Sequence, residues 1–184
     1  GYPLDNPDYP VIRISWDEAQ AYCLWLSEKS GYDISLPTEI EWEWACRAGS
    51  SSDMNYGDMD VDFGENANLA DQQIRRWARR ESPSWQPRID HVDDGNMIFS
   101  EVGSYAPNIW GLYDMHGNAA EWTASSFDAY PGNEELEYSD SEKVVVRGGS
   151  WYDRPYRARS GYRLDFQKYQ KVHNVGFRVI LKMK

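Results

Sequence analysis

The sequence predicts an irregular, loop-rich α+β domain with two helices near its N-terminus and short antiparallel strands after them. Three observations point there. Two helix-capping boxes fall within the first fifty residues, helical periodicity all but vanishes beyond them, and the 184 residues include nine Trp and thirteen Tyr against five Phe. Aromatics with a polar handle suit places where irregular loops meet a core. The length and the 41% hydrophobic content fit one globular domain covering 1–184.

Residues 1–10 contain three prolines and read as an extended lead-in, followed by a short strand at Val11–Ile14. Ser15 and Glu18 then form a capping box that starts a helix running to about Lys29, where Gly31 ends it. On its face Ala19, Tyr22, Cys23 and Leu26 recur at helical spacing, so Cys23 reads as a small buried hydrophobe. Thr38 and Glu41 repeat the device for a second helix through Trp42, Trp44, Ala45 and Cys46, stopped by Gly49. Cys46 shares the face of Trp42 and reads as core packing.

The remainder is mostly loop. Residues 50–73 are rich in Ser, Asp, Asn and Gly. Ile74–Glu81 reads as a short helix carrying Arg75, Arg76, Arg79 and Arg80 at i, i+4 spacing, an arrangement that calls for an anionic neighbour, this chain's own acidic surface included. Ser82–Arg88 is a loop and Asp93–Asn96 a tight acid-rich turn. Residues 125–142 read as an acidic surface excursion, Val144–Val146 as a strand, Arg147–Ser150 as a sharp turn and Val175–Leu181 as a closing strand. Between these last two, Trp151–Asn174 reads as an exposed loop system rich in Arg and Tyr.

The densest chemistry lies in Gly111–Trp122, which brings together Gly111, Gly117, Asp114, Asn118, Glu121 and the aromatics Tyr113 and Trp122. Glycines permit backbone conformations that other residues resist, and a carboxylate on either side of such a loop can cage a hard cation. The plainer alternative is that Asp114 and Asn118 cap turns.

Net charge is −11, which argues against nucleic acid as a partner, because binding phosphates takes Lys and Arg. The C-terminal stretch from Arg147 is nevertheless basic, with Arg154, Arg157, Arg159, Arg163, Lys168, Lys171 and Arg178. It serves either intramolecular complementarity or a basic rim for an anionic ligand. No apolar run approaches the ~18–20 residues of a membrane helix. The chain opens on Gly1 without an initiator Met, as a processed or truncated product would. Its two cysteines make at most one disulfide.

Five ordered segments carry a family resemblance: Ser-Trp-Asp-Glu-Ala-Gln-Ala-Tyr-Cys-Leu-Trp (15–25), Leu-Pro-Thr-Glu-Ile-Glu-Trp-Glu-Trp-Ala-Cys-Arg (36–47), Gly-Leu-Tyr-Asp-Met-His-Gly-Asn-Ala-Ala-Glu-Trp (111–122), Val-Arg-Gly-Gly-Ser-Trp (146–151) and Val-Gly-Phe-Arg-Val (175–179). Together they resemble the formylglycine-generating enzyme (sulfatase-modifying factor) family. The resemblance implies a C-type-lectin-like fold and calcium at one or two places. One ion is implied at Asp114, Gly117, Ala119 and Glu121, two by side chain and two by carbonyl. A second is implied at Asn68, Leu69, Asp94 and Asn96. These are the hard oxygen ligands that Ca²⁺ takes.

Three departures qualify it. Relatives that oxidise a sulfatase cysteine carry a cysteine pair shortly after the Gly-Gly-Ser turn, whereas residues 151–160 contain no sulfur. Soft Cu(I) needs soft ligands, so no copper is expected and formylglycine formation is not. In secreted relatives the cysteines matching Cys23 and Cys46 pair with cysteines near positions 179 and 158, which here are Val179 and Ala158. Unless Cys23 and Cys46 pair with each other, both are free. Finally, residues 1–14 do not match the family's opening strand-rich segment, so either the chain is a fragment or another polypeptide supplies that layer, and a hydrophobic face would otherwise stay exposed.

The resulting expectation is a calcium-stabilised, non-catalytic binding or assembly module acting within a larger protein or complex, in the periplasm or outside the cell. Its ligand or partner face is Trp151, Tyr152, Asp153, Arg154, Tyr156, Arg157, Arg159 and Tyr162, with Asp153, Arg157, Arg159 and Tyr162 converging on a cleft if the face is catalytic. The alternatives are a tailoring oxidoreductase similar to sulfoxide synthases or siderophore-maturation proteins, and a ligand-display protein with a variable C-terminal face. His91, His116 and His173 are scattered, read as surface or turn residues, and lack the spacing of a three-His iron site, so no iron is expected.

Overall fold

A computed structural model describes residues 6–74, 89–128 and 139–183. Its elements are α1 (Trp16–Ser30), β1 (Asp33–Ser35), α2 (Glu39–Arg47), β2 (Ala120–Asp128), β3 (Ser139–Arg147), α3 (Pro155–Ala158), β4 (Leu164–Gln167), β5 (Val175–Phe177) and β6 (Ile180–Lys182). The α+β class and the scarcity of helix match the sequence reading. The four-stranded sheet has the order β4-β3-β2-β5, and a second sheet pairs β1 with β6.

Both capping boxes form as expected. Ser15 Oγ accepts from the Glu18 amide at 3.2 Å while the Ser15 amide donates to Glu18 at 2.9 Å, and Gly31 closes α1 in the left-handed region at φ 77°. Thr38 and Glu41 reciprocate across 3.2 and 2.8 Å at α2. There the left-handed cap is Ala48 at φ 46°, one residue before the expected Gly49. The inner faces then pack as their spacing requires. Ala19 and Cys23 meet Leu36, Ala120, Trp122, Val144, Val146 and Val175, while Trp42 and Cys46 meet Met115. Tyr22, on the same predicted face, stays largely exposed. Both cysteines are buried and free.

Several expectations are corrected. Val11–Ile14 is not a strand: Arg13 takes φ 57°, which breaks the pleat. The excursion over 125–142 is mostly strand at its ends, because β2 runs on to Asp128 and β3 begins at Ser139; residues 129–138 lie outside the described residues. The arginine helix and the loop after it, over 75–88, lie outside them too. The strands are not all antiparallel, since β5 joins β2 in parallel through Glu121↔Gly176. The predicted closing strand is split between the two sheets, β5 in one and β6 in the other, at Arg178 and Val179. Trp151–Asn174 is no exposed loop system: it contains α3 and β4, and Trp151, Asp153, Pro155, Ala158 and Ser160 are buried.

Residues 50–73 are loop by conformation but core by packing. Met54, Phe63, Ala67 and Leu69 bury against Val92 and Ala158. The charge asymmetry resolves largely as intramolecular pairing. Arg147 joins Glu43, Arg163 meets Glu39 at 2.8 Å, Lys171 meets Glu18 at 2.5 Å and Arg178 meets Glu121 at 2.6 Å.

Candidate functional site

The 111–122 loop is the hub of the molecule. Gly111, Asp114, Gly117 and Asn118 all take left-handed backbone, at φ 79°, 54°, 79° and 58°. Asp and Asn are the side chains that best tolerate that region. Gly117 has no substitute, because a Cβ there would drive into the carbonyl of Asn68. The contorted path lets one loop stitch three other segments. Gly117 N–H donates to Gly148 O at 2.9 Å, Asn118 N–H to Asn68 O at 2.8 Å, and Trp151 N–H to Asn118 O at 3.1 Å. The Asn118 side chain exchanges hydrogen bonds with the backbone of Ser100, at 3.1 and 3.3 Å.

The first predicted metal group gathers at this hub. Glu121 is buried and accepts from Trp42 Nε1 at 2.6 Å and from Arg178 Nε and Nη2 at 2.6 and 2.7 Å. Arg178 Nη2 also donates to the carbonyls of Tyr113 and Asp114, at 3.1 and 3.2 Å. Asp114 Oδ2 accepts from Gly103 N–H at 2.7 Å, while its buried Oδ1 has no hydrogen-bond partner. Burial raises the Asp114 carboxyl above its ordinary range.

The second group also assembles. Asp94 is buried, its oxygens accepting from Leu69 N–H at 3.0 Å and Asn96 N–H at 2.9 Å, and burial pushes its carboxyl up to about 7. Asn68 Nδ2 donates to Ile98 O at 2.7 Å, and its Oδ1 is buried without a partner. The sequence reading missed Asp71, whose buried carboxylate accepts from Asp94 N–H and Gln73 N–H at 2.7 Å each. Nothing in its spacing from Asp94 signalled the contact. Among the described residues no three His, Cys, Asp or Glu side chains are grouped so as to hold a metal ion; the first group combines two carboxylates with backbone, and the second a carboxylate and amide side chains with backbone.

The predicted ligand face divides into four parts. Asp153 is structural: its Oδ2 accepts from Ser150 N–H at 3.1 Å and Ser150 Oγ at 2.6 Å, and its Oδ1 meets Arg157 at 3.4 Å. Tyr156, Arg159 and Tyr162 form an outer cluster, with the guanidinium 4.2 Å from the Tyr156 ring centre and the two tyrosine rings 5.3 Å apart. Trp151 is buried and packs with Tyr152 and His173 at 5.3 and 6.3 Å. Arg154 is exposed at the start of α3. Of the four residues expected to converge on a cleft, Asp153 and Arg157 meet each other, whereas Arg159 and Tyr162 gather around the Tyr156 ring. A cavity of about 1020 Å³ opens elsewhere, beside Asp114, Ala119 and Glu121, and none of the 151–162 residues lines it.

A second feature the sequence did not reveal is a buried Cys46–His116 contact across seventy positions, Sγ to Nε2 at 3.4 Å. His116 is therefore a core residue, not the expected surface or turn histidine. It contacts Ala158 O through Nδ1 at 2.7 Å, and Nε2 accepts from Asn55 N–H at 3.0 Å. Burial pushes the Cys46 thiol up to about 12 and His116 down to about 4. A thiol that resists ionisation beside an imidazole that resists charging is not a nucleophilic dyad.

These features define a loop-rich α+β scaffold whose hub is a glycine loop rather than a helix or strand. The chain belongs to the sulfatase-modifying factor family: the family model described as "Sulfatase-modifying factor enzyme 1-like domain" matches residues 4–183. It is 32% identical to the inactive C-alpha-formylglycine-generating enzyme 2 of Bos taurus over 93% of this chain and 50% of that protein. It is likewise 32% identical to the formylglycine-generating enzyme of Streptomyces coelicolor, over 94% of this chain and 52% of that one. Among solved structures, PvdO from Pseudomonas aeruginosa superposes with a TM-score of 0.76 at 27% identity, over 98% of this chain and 65% of that chain. The chain thus spans about half the length of the curated relatives it matches.

Proposed function

We propose that this chain is a calcium-stabilised, non-catalytic binding or assembly module of the sulfatase-modifying factor family, working as part of a larger protein or complex. The observation that carries the reading is the segment after the Gly-Gly-Ser turn. It contains no thiol, and its one buried carboxylate, Asp153, is engaged by Ser150 and Arg157. The thiol nearest in chemistry, Cys46, is buried and held protonated. The identity is 32% both to a relative named inactive and to one named for the activity, so overall identity does not decide between them.

Calcium fits the donors present. Each group contains one buried side-chain oxygen without a hydrogen-bond partner, Asp114 Oδ1 in the first and Asn68 Oδ1 in the second. Buried oxygens are normally satisfied, and a hard cation would satisfy these. Asp114 and Glu121 by side chain, with the carbonyls of Gly117 and Ala119, would hold one ion. Asn68 and Asp94 by side chain, with Leu69 and Asn96, would hold the other. The ion would supply positive charge and cross-link the loops that present these oxygens. A site with so few carboxylates suits the millimolar calcium outside the cytosol, and we place the chain in the periplasm or outside the cell. The partner face would then consist of the exposed Arg154, Tyr156 and Arg157 and the half-buried Tyr152, Arg159 and Tyr162.

The test is metal analysis of the purified protein combined with incubation of a cysteine-containing sulfatase peptide with copper and oxygen. The reading expects calcium, no stoichiometric redox metal and no formylglycine. One equivalent of copper or iron, or aldehyde formed in the peptide, sinks it.

A further inference from the structure

We propose that Trp44 and Trp110 form a wedge-shaped site on the outer face of α2 for a small soluble cation of the choline type, held by its quaternary ammonium group. Neither residue belongs to the metal groups or to the partner face, and the site does not depend on the functional reading above.

These two indoles differ from those that build the fold. Trp16, Trp42 and Trp122 donate their indole N–H groups to Thr123 O, Glu121 and Ile14 O, at 2.8, 2.6 and 3.1 Å. Among the described residues no such bond engages Trp44 or Trp110, which are 68% and 44% exposed. They meet each other instead, with ring centres 4.5 Å apart and planes inclined at 63°. The wedge is fixed from beneath. Buried Asn108 donates through Nδ2 to the carbonyls of Ala45 and Cys46 at 2.8 and 3.3 Å, and its Oδ1 accepts from the Trp110 and Leu112 amides at 3.0 and 3.1 Å. Gly111 N–H closes the same turn on Asn108 O at 2.8 Å. One side chain thus clamps the turn that carries Trp110 to the helix that carries Trp44, and a preorganised site loses little freedom on binding.

The geometry selects the ligand. A cation is attracted to an indole face out to about 6 Å from the ring centre, and with centres 4.5 Å apart a compact ion in the wedge reaches both rings. A flat sugar ring needs one unobstructed face, and the second indole, inclined at 63°, stands across the first. Hard metal cations take oxygen ligands, which two indoles do not offer. A primary ammonium would give up hydrogen bonds to water that the rings do not replace, whereas a fully methylated nitrogen has no N–H to satisfy and brings apolar surface to them. Charge points the same way. The charged groups on the helix near Trp44 are already matched: Arg47, three residues on, pairs with Glu43 at 2.9 Å, and hydrogen bonds from Thr38 together with the charge of Lys182 hold the Glu41 carboxyl below its ordinary range. The sign of the ligand then follows from the net charge of −11, which draws cations in and turns anions away.

The experiment follows the indole N–H signals of isotope-labelled protein by NMR as choline chloride is added, with the spectra of Trp44→Phe and Trp110→Phe assigning the two signals. Two exposed rings support a dissociation constant of about 1–10 mM, and both signals should move along one saturating curve with that constant. The neutral isostere of choline, with carbon in place of nitrogen, should leave them where they are. Trp44→Ala should weaken binding at least about fivefold, read on the Trp110 signal, with the melting curve preserved; Trp110→Ala, read on the Trp44 signal, serves if Trp44→Ala unfolds. Equal shifts from the neutral isostere, shifts that never saturate or that fall on other residues, or indifference to both variants overturns the proposal. So does a response to maltose in place of choline. Binding to phosphatidylcholine vesicles without any response to free choline overturns it too, because a membrane surface would then be the occupant.

Discussion

Arg178→Met removes the guanidinium that joins the C-terminal strands to the hub and leaves Glu121 facing a methyl group. The pair is two hydrogen bonds, at 2.6 and 2.7 Å, with side-chain exposures of 26% for Arg178 and 10% for Glu121. Removing one partner of a largely buried pair leaves an uncompensated charge and costs about 3–5 kcal/mol. Partial exposure places this case near the lower figure. For a chain of this length each kcal/mol moves the melting temperature by about 2–4 °C, so a fall of roughly 6–12 °C is expected. Urea unfolding of wild type, Arg178→Met, Glu121→Gln and the double variant separates the pair from its surroundings, because Gln still accepts from Trp42 Nε1. The coupling should be about 2 kcal/mol, within the range for contacting residues. Run in chelator and again in calcium, the cycle also reports on the ion. If calcium shares the Glu121 charge, the cost of Arg178→Met shrinks when calcium is present. A coupling below about 0.5 kcal/mol in chelator would refute the claim that this pair holds the hub to the strands.

Chelation should lower the melting temperature of the wild type, with a stabilisation of about 2.7 kcal/mol restored at calcium a hundredfold above its dissociation constant. Asp94→Asn should remove the part of that response belonging to the second group, read by calorimetry as lost stoichiometry. Gly117→Ala should fail to fold or lose more than about 3 kcal/mol in urea, because its Cβ meets the Asn68 carbonyl, whereas Gly31→Ala, with open space around it, should lose only about 1 kcal/mol. Asp153→Ala should destabilise by about 1–3 kcal/mol by orphaning Ser150, so any loss of binding must be judged against its melting curve. The buried Cys46 thiol should react with a thiol reagent at pH 8 only as fast as the protein opens, and full denaturant should release the reaction.

The legible parts of this molecule were those governed by local rules. Ser15 and Thr38 announced the two helices because a capping box is a contact between residues three apart. Gly111 and Gly117 marked a contorted loop because glycine permits backbone that other residues resist, and both take left-handed φ. What escaped is non-local. The core under residues 50–73 is built by Met54, Phe63 and Leu69 on a path without periodicity, so nothing in the spacing identifies them as inward. The break between β5 and β6 falls where Arg178 turns to Glu121, a partner fifty-seven positions away. The Cys46–His116 contact spans a still greater separation. The exposed reading of 151–174 failed because Arg and Tyr count as polar by composition, while here arginines pair with acids and Trp151 fills the space beside Phe99.

Loss of thiol chemistry after the Gly-Gly-Ser turn need not loosen the fold, and the hydrogen bonds there say why. Ser150 Oγ donates to Asp153 Oδ2 at 2.6 Å and accepts from Asn174 Nδ2 at 2.7 Å, joining the turn to the segment that leads into β5. The backbone closes the same turn independently: Asp153 N–H donates to Ser150 O at 2.8 Å, and Ala70 N–H donates to Asp153 O at 3.0 Å. Two contacts within residues 150–153 and two more, to Asn174 and Ala70, therefore hold this turn without sulfur. A scaffold tied in this way can lose a reactive pair and keep its hub, its acidic turn and its β5 register. Selection on such a chain would then act on what its surface binds, which directs attention to the Tyr156–Tyr162 cluster.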